Sequence, residues 1–464
     1  MMGERELVGL AGLLFLFILI GLRIPVALSM LVAGILGSFA LSIAAPFLKF
    51  GPYILQFKSS LWNNIANYDL SVVPLFILMG FLAAESGLSR DLFAGFSALF
   101  GRIRGGVAMA AVGACAGFGA VSGSSIATAS TMSRVSLPEL RKLKYEDGLA
   151  TGTLAAGGTL GILIPPSVAL VIYAIVVEAS IVEMFQAAIL PGLLAVIGFI
   201  AVIWFRVRLN PGLAPEPEVL SYLERKQALW RLVPVLLIFG TIIAGLGMGL
   251  FTPTPAAAMG VLVILIFGFL SRFFSRTYLT VHKLKRSILS TAKTAGMIYF
   301  ILFAADVLKG FFSRSGLPVA LTDLVANSGF DPYLILALML LLLIILGCFM
   351  ESLSMILVVI PFFWPTLIEL NGGDYITAAD AVFGMTADQL KIWFGVLALV
   401  VVELGLITPP VGLNVFVIKS FVPDTPISKI FRGVMPFFAV ELFRVGLLLS
   451  FPALCLLLPT YLSG

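Results

Sequence analysis

The sequence predicts a polytopic all-α membrane protein made of two inverted repeats, each with a re-entrant hairpin and a broken helix. Composition is the first observation: 60% of the 464 residues are hydrophobic and 11% are charged, whereas about a quarter of the residues in a soluble domain are charged. Apolar runs such as 233–250 and 334–349 approach the roughly 20 residues that a helical span needs. The third observation is a duplicated motif with two adjacent prolines, "GILIPPSVAL" at 161–170 and "GLITPPVGLN" at 405–414.

The distribution of basic residues predicts the orientation of the spans. Most of the 29 Lys and Arg residues fall in five stretches, 90–104, 134–144, 206–231, 272–293 and 419–432. The positive-inside rule places such stretches in the cytoplasm, and threading the spans through them puts both termini outside. The net charge of +5 then reflects membrane orientation, so we expect no nucleic-acid partner.

The two proline motifs indicate a duplication. The segments that start at Leu160 and Leu404 align without a gap, 244 residues apart. We predict a first repeat at 1–210, a cytoplasmic linker at 211–229 and a second repeat at 230–464. The first repeat would hold a hairpin at about 105–137 and a broken helix at about 146–178, and the second a hairpin at about 332–370 and a broken helix at about 389–421. Because one copy starts outside and the other inside, the repeats are predicted to be inverted.

Adjacent prolines break a helix for a chemical reason. Proline has no N–H and clashes with the preceding turn, which frees carbonyls at 161–164 and at 405–408. Free carbonyls are costly in lipid unless something satisfies them, and a hard cation such as sodium takes oxygen ligands. The half-helix after each break presents its positive N-terminal end, which suits a carboxylate.

The hairpins follow from length. Between Arg104 and Arg134, both predicted to be cytoplasmic, lie 29 residues, too few for two full spans of roughly 20. This segment should enter the membrane and return to the same side as a hairpin with its tip at 119–125. A second hairpin should have its tip at 347–354. Inverted repeats with interrupted helices are the plan of secondary transporters. Two hairpins meeting from opposite faces, each beside a broken helix, indicate the elevator type.

Several motifs together resemble one family over nearly the whole chain. They are "PLFILMGFLAAESGLS", "GRIRGGVAMA", "GAVSGSSIATAS", "GTLGILIPPS", "PGLL" and "GLITPPVGLNVF". In this order they resemble the large membrane subunit of tripartite ATP-independent periplasmic (TRAP) transporters. The resemblance implies sodium-coupled import of a carboxylate across the bacterial inner membrane, with Na⁺ as the coupling ion. It also implies two protein partners, a soluble periplasmic binding protein (P-type) that delivers the substrate and a small four-helix membrane subunit (Q-type), expected here as a separate polypeptide.

The chain departs from the family pattern at three places. Pro255 stands where the family usually has a glutamate, and Glu351 where it more often has an aspartate. The segment 371–391 is longer than the usual connection, and either it is a solvated loop or it contacts the binding protein.

Candidate site residues lie at the tips and breaks. We predict sodium ligands at Ser122, Ser124, Gly157, Thr159, Ile162, Glu351, Ser352, Ser354, Gly405 and Thr408. We predict substrate contacts at Ser125, Thr159, Pro166, Ser354, Pro410 and Asn414. No other metal is expected.

Structural alternatives exist for these side chains. The tip serines can simply allow close helix packing, since small residues are common at membrane helix interfaces. Glu351 and Glu403 are carboxylates near predicted breaks, where they either contact an ion or cap a helix end. The pairs Asp306/Lys309 and Glu441/Arg444 are spaced i, i+3 and are predicted to neutralise each other on a helix face.

Three functional classes can be compared. The sequence has no paired catalytic carboxylates, His/Glu metal cluster or Ser/His arrangement, so an enzyme is not predicted. A channel requires a continuous polar pore, whereas the polar residues here cluster at two paired breaks. A secondary transporter accounts for the duplication and the breaks together. Within that class, the alternative to a TRAP subunit is a stand-alone sodium- or proton-coupled organic anion symporter that needs no binding protein.

Overall fold

A computed structural model describes residues 3–216, 221–247, 250–271 and 278–462. The described residues form helices, as the composition predicts. Residues 217–220 of the predicted linker and 272–277 of a predicted cytoplasmic stretch lie outside the described residues. Eight of the described helices are long and apolar enough to cross a membrane, or nine if one bent pair counts as a span. The chain is therefore a multi-pass membrane protein.

The helices of the first half have the following bounds: α1 Glu4–Gly21, α2 Val26–Ala44, α3 Phe50–Ala66, α4 Val72–Ser86, α5 Leu88–Phe100, α6 Gly106–Ser122, α7 Ser125–Lys142, α8 Asp147–Leu163, α9 Val168–Val176 and α10 Ile181–Leu209. Side-chain oxygens start several of them. Ser124, Glu146 and Ser167 each accept a hydrogen bond from the backbone N–H three residues later, which satisfies one of the free donors at a helix N-terminus.

The helices of the second half are α11 Tyr222–Trp230, α12 Val233–Gly247, α13 Pro253–Leu270, α14 Val281–Ser315, α15 Leu317–Ala326, α16 Pro332–Gly347, α17 Ser352–Asn371, α18 Ala387–Gly405, α19 Leu413–Phe421, α20 Ile427–Ser450 and α21 Ala453–Leu462. The order of a helical hairpin followed by a broken helix therefore occurs twice, first in α6–α9 and again in α16–α19. The orientation of the two copies stays a prediction.

The chain divides into two compact units that cut across the two halves. The first unit contains Met1–Leu70, Lys293–Leu341 and Leu353–Lys391. The second unit contains Ser71–Ala292, Leu342–Ser352 and Ile392–Gly464. Each unit thus draws residues from both predicted repeats.

Aromatic packing and a few polar contacts hold the first unit together. The Tyr53 hydroxyl donates to the carbonyl of Val307 at 2.6 Å, and the rings of Phe312 and Phe362 lie 4.6 Å apart. Asp306 accepts a hydrogen bond from Asn64 Nδ2 at 2.7 Å. Asp306 and Lys309 form no close ion pair among the described residues, although the positive charge of Lys309 still acts on the Asp306 carboxylate. The hydrogen-bond partner of Asp306 thus lies on another helix, and the predicted neighbour contributes only through its charge.

Helix α8 lies inside the second unit. Every residue from Gly148 to Leu163 is buried, and α8 packs against α6, α7 and α20. Its sequence "GLATGTLAAGGTLGIL" is rich in small residues, which let helix backbones approach closely inside a membrane. In the same unit Glu441 and Arg444 form the predicted i, i+3 ion pair, and Arg444 Nη1 also donates to the carbonyl of Pro191 at 2.8 Å.

Candidate functional site

The first helix break separates α8 from α9. Helix α8 ends at Leu163, α9 begins at Val168, and the two are bent by 46°. The peptide bond between Pro165 and Pro166 is cis. In a continuous helix their N–H groups would bond the carbonyls of Gly161 and Ile162, but proline has no N–H. Two carbonyls therefore lack a helical donor at this break, as the sequence predicts.

The tip of the first hairpin lies directly against this break. A Cβ atom on Gly161 would lie 2.5 Å from Thr128 Oγ1 and 2.7 Å from the carbonyl oxygen of Ser124. The hydroxyls of Ser122 and Thr128 are 2.8 Å apart, and both residues are buried. Hydroxyl and carbonyl oxygens of the tip thus gather beside the carbonyls that the prolines free. Thr128 is part of this cluster, although sequence reasoning missed it.

At the second break, between α18 and α19, more of the backbone carbonyls accept hydrogen bonds from nearby groups than at the first break. The N–H of Thr408 donates to the carbonyl of Gly405 at 3.0 Å, and the N–H of Asn414 donates to that of Leu406 at 3.0 Å. The Thr408 hydroxyl donates to the carbonyl of Leu404 at 2.6 Å. This break therefore leaves fewer carbonyls without a donor than the sequence predicts.

The tip of the second hairpin packs on this second break. A Cβ atom on Gly405 would lie 2.7 Å from the Cα atom of Gly347, so only glycine allows the two backbones to approach so closely. The Cys348 sulfur lies 3.6 Å from the carbonyl oxygen of Pro409 and 3.2 Å from that of Ile344. Each tip thus contacts the break that follows it in the chain.

Asn414 connects the second break to α8. Its side chain is fully buried, and its Nδ2 donates to the carbonyl of Ala155 at 3.4 Å. Its Oδ1 has no hydrogen-bond partner among the described residues. A buried amide oxygen without a donor is costly, so this atom is suited to accept from a ligand or to bind a cation.

Glu403 is the carboxylate at the centre of the site. It is 1% exposed. Its Oε2 accepts a hydrogen bond from Ser125 Oγ, and its Oε1 accepts one from Ser352 Oγ at 2.7 Å. Both partners are hydroxyls at hairpin tips, so this carboxylate acts as an acceptor between tips and not as a cap on backbone N–H groups.

The predicted site residues differ in exposure. Those that are buried are Ser122, Ser125, Gly157, Thr159, Ile162, Pro166, Ser352, Ser354, Gly405 and Asn414; Ser124, Glu351 and Thr408 are half-buried, and Pro410 is exposed. The structure brings Ser122 and Ser124 to the first break, and Ser125 and Ser352 to Glu403.

Three predicted residues are not shown to join these clusters. The hydroxyl of Thr159 donates within its own helix to the carbonyl of Ala156 at 2.6 Å. Gly157 faces α6, because a Cβ atom there would lie 2.8 Å from Cys115 Sγ. Ser354 belongs to the first compact unit.

Known proteins resemble this chain in both sequence and fold. Residues 13–454 match the family described as the tripartite ATP-independent periplasmic transporter, DctM component. The C4-dicarboxylate TRAP transporter large permease protein DctM of Pseudomonas aeruginosa is 32% identical over 430 residues, which cover 92% of this chain and 94% of that protein. The sialic acid TRAP transporter large permease protein SiaM of Vibrio cholerae is 32% identical over 402 residues, 87% of this chain and 88% of that protein.

A solved structure shares the fold at low sequence identity. The crystal structure of the YdaH transporter of Alcanivorax borkumensis matches with a TM-score of 0.58 and 14% identity, covering 85% of this chain and 88% of that one. The sequence relatives are named as transporter permeases and not as enzymes. The match over almost the whole chain, together with a hairpin tip packed on each Pro-Pro break, shows that this protein belongs to the family of TRAP transporter large permeases, the DctM component.

Proposed function

We propose that the protein imports an organic acid across the bacterial inner membrane, coupled to sodium entry. The observation that carries this proposal is the buried Oδ1 of Asn414, which has no partner among the described residues and lies where the second break meets α8. An oxygen in that position favours a ligand with a positive charge or a hydrogen-bond donor. Family membership supports transport, and the oxygen-rich tips support a hard cation as the coupling ion.

The first sodium would bind between the first tip and the first break. The available ligands for a cation are hydroxyl and carbonyl oxygens, and hard cations prefer oxygen ligands. Ser122 and Ser124 would supply the tip, and the carbonyls near Ile162 would supply the break. Their fit rests on the approach of the Ser124 carbonyl to Gly161, which leaves room for no side chain there.

The second sodium would bind between the second tip and the second break. Glu351 and Ser352 would supply the tip, and Gly405 and Thr408 would supply the break. The hydroxyl of Thr408 already donates to Leu404, and a hydroxyl that donates keeps lone pairs for a cation. The half-buried position of Thr408 is compatible with an ion that enters and leaves.

The substrate carboxylate would lie between the two tips. Asn414 would donate to it through the second hydrogen of Nδ2, which leaves Oδ1 for the cation, and Ser125, Thr159, Pro166 and Pro410 would lie around it. The relatives described above are named for C4-dicarboxylates and sialic acid, which share a carboxylate group. We therefore propose a small carboxylate as the substrate class.

A periplasmic binding protein and a small four-helix membrane subunit are the proposed partners. The loop after α17 is a candidate contact for the binding protein. Asn371 holds this loop, because its Nδ2 donates to the carbonyl of Met385 at 3.0 Å and its Oδ1 accepts from the N–H of Phe383 at 3.1 Å. Tyr375 on the same loop is fully exposed, as an interface residue must be in the absence of its partner.

We propose an elevator mechanism for the transport step. Both broken helices, the first hairpin and the tip of the second hairpin belong largely to one compact unit. Movement of these helices as one body would carry the ions and the substrate without rebuilding the site. Membrane lipid would surround the exposed apolar residues.

Sodium-dependent stability tests the ion sites without any partner. The purified protein is heated in detergent in sodium and in potassium at equal ionic strength. A site with a Kd of about 10 mM, at about 100 mM sodium, adds about 1.4 kcal/mol by mass action. Ser124→Ala and Thr408→Val should each reduce this increment. Ser420→Ala should not, because Ser420 is exposed and its hydroxyl bonds within its own helix, to Val417 at 2.7 Å.

Reconstitution tests transport and the partners. In liposomes that hold this chain with its small subunit, an inward sodium gradient should drive uptake of labelled carboxylate only when the binding protein is added. Uptake by the chain alone would favour the stand-alone symporter. A sodium-independent protein whose uptake follows a proton gradient would contradict the sodium sites.

A further inference from the structure

Glu403 contacts both hairpin tips through one carboxylate. Ser125 Oγ donates to Oε2, and Ser352 Oγ donates to Oε1 at 2.7 Å. Ser125 is the first residue of α7 and Ser352 is the first residue of α17, so each hydroxyl directly follows the break in its hairpin. A tip from the first half of the chain and a tip from the second half therefore share one acceptor group.

Glu403 has no basic partner in the described structure. Glu403 is 1% exposed, and no lysine or arginine among the described residues forms an ion pair with it. Burying an unpaired carboxylate in a membrane protein is expensive, and such groups are usually functional. Two hydrogen bonds to hydroxyls also form with a neutral amide, so hydrogen bonding alone does not account for a carboxyl group at this position.

A carboxylate makes both hydroxyls donate their hydrogen atoms in the direction of Glu403. Ser125 and Ser352 both donate to Glu403, and the ionised form of this group can only accept. The lone pairs of both hydroxyls then remain available to a cation or to an N–H group. An amide would donate to one of the two hydroxyls and occupy a lone pair there. The carboxylate thus prepares both tips as acceptors at once.

We propose that Glu403 is a positioning residue that couples the two hairpin tips, so that sodium bound at one tip raises the sodium affinity of the other. This inference rests on the proposed function, since it requires an ion site at each tip. An ion that orders one tip restrains the serine hydroxyl there, which restrains the shared carboxylate and through it the second hydroxyl. Coupling of this kind is reciprocal between the two sites.

A double-mutant cycle tests the coupling. The measured quantity is the sodium concentration that gives half of the maximal thermal stabilisation, with choline keeping ionic strength constant. Ser125→Ala and Glu403→Gln should each raise it by about fivefold, the lower end of typical coupling between sites, and neither residue is a proposed sodium ligand. The double variant should also raise it by about fivefold, because either change alone breaks the link. If the double variant raises it by about 25-fold, the product of the single effects, the tips act independently and the coupling is overturned.

Glu403→Gln separates positioning from a merely structural role. It preserves size and the capacity for two hydrogen bonds but removes the charge and reverses one bond. We expect the thermal stabilisation to rise less steeply with sodium concentration, and the half-maximal sodium concentration to increase about fivefold or more. Glu369→Gln, an exposed carboxylate on α17, should leave the response unchanged. A lower unfolding temperature in choline with an unaltered sodium response would overturn the proposal.

The outcomes for the two levels of proposal can be told apart. Absence of any sodium effect in the unmodified protein contradicts the proposed sodium coupling itself. A sodium effect with independent contributions of Ser125 and Glu403 leaves the proposed function intact and removes only the coupling role of Glu403.

Discussion

Arg141 holds Asp424 in a two-point ion pair that connects distant parts of the sequence. Nη1 and Nη2 of the guanidinium lie 3.2 and 2.9 Å from the two carboxylate oxygens. Arg141 also donates to Thr425 Oγ1 at 2.9 Å, and its Nε lies 3.3 Å from Asp147 Oδ1. The planar guanidinium matches a carboxylate in this bidentate geometry. One side chain at the end of α7 thus ties the start of α8 to the connection before α20.

Loss of the Arg141 contacts with Asp424, Thr425 and Asp147, called the Arg141 clamp below, should destabilise the protein modestly. Arg141→Ala removes a bidentate pair and two further contacts, and we expect a loss of about 1 kcal/mol in the free energy of unfolding, the upper range for exposed pairs. Thermal unfolding in detergent at low ionic strength measures it, and added salt should narrow the difference. Arg102→Ala is the matched control, because Arg102 is exposed and has no ion pair among the described residues. Equal effects of the two changes would argue against the Arg141 clamp.

The pair of Arg141 and Asp424 should make the stability of the protein depend on pH. The hydrogen bond from Arg141 lowers the pKa of Asp424 below its ordinary value of 3.8. A carboxyl with a lowered pKa in the folded state stabilises the protein fully above its unfolded pKa, and this stabilisation is lost as the pH falls through the folded value. The difference in unfolding temperature between the unmodified protein and Asp424→Asn should be constant from about pH 7 to pH 5 and should shrink below about pH 4. A difference that grows on acidification would contradict this assignment.

Gly161 should tolerate no side chain. A Cβ atom there would lie 2.5 Å from Thr128 Oγ1 and 2.7 Å from the Ser124 carbonyl oxygen, so Gly161→Ala must push the first tip away from the break. Overpacking of this kind costs about 1–3 kcal/mol, and we expect loss of sodium-dependent stabilisation beyond the loss of stability. Gly446→Ala in α20 is the control, because no atom lies within 4 Å of its added Cβ. Retention of the full sodium response in Gly161→Ala would separate the first tip from ion binding.

Local chemistry explains what could be predicted from the sequence. The breaks follow from missing N–H groups at Pro165–Pro166 and Pro409–Pro410, and this requires no knowledge of other parts of the chain. The all-helical membrane class follows in the same way from composition and from runs of apolar residues. The i, i+3 pair of Glu441 and Arg444 could be predicted because no other described partner competes for the carboxylate.

Contacts between distant segments explain what could not be predicted. Ser125 and Glu403 are 278 residues apart, and no periodicity relates them. Asp306 hydrogen-bonds Asn64, 242 residues away, and the predicted partner Lys309 acts on it only through its charge, because tertiary packing outweighs a weak local pair. At the second break, backbone N–H groups in turns donate to the carbonyls of Gly405 and Leu406. The positions of the prolines alone predict that these carbonyls lack a donor.

The buried pair of Glu441 and Arg444 supplies a last prediction. Their side chains are 2% and 3% exposed, and Arg444 also bonds the carbonyl of Pro191. Glu441→Gln leaves the guanidinium buried without a compensating charge, and removing one partner of a buried pair costs about 3–5 kcal/mol. The double change Glu441→Leu with Arg444→Met removes both charges together and should cost less than Glu441→Gln alone, because no uncompensated charge remains. Chemical unfolding in detergent measures all three proteins. If the double variant is the least stable, the pair contributes through specific contacts, such as the one to Pro191, more than through charge balance.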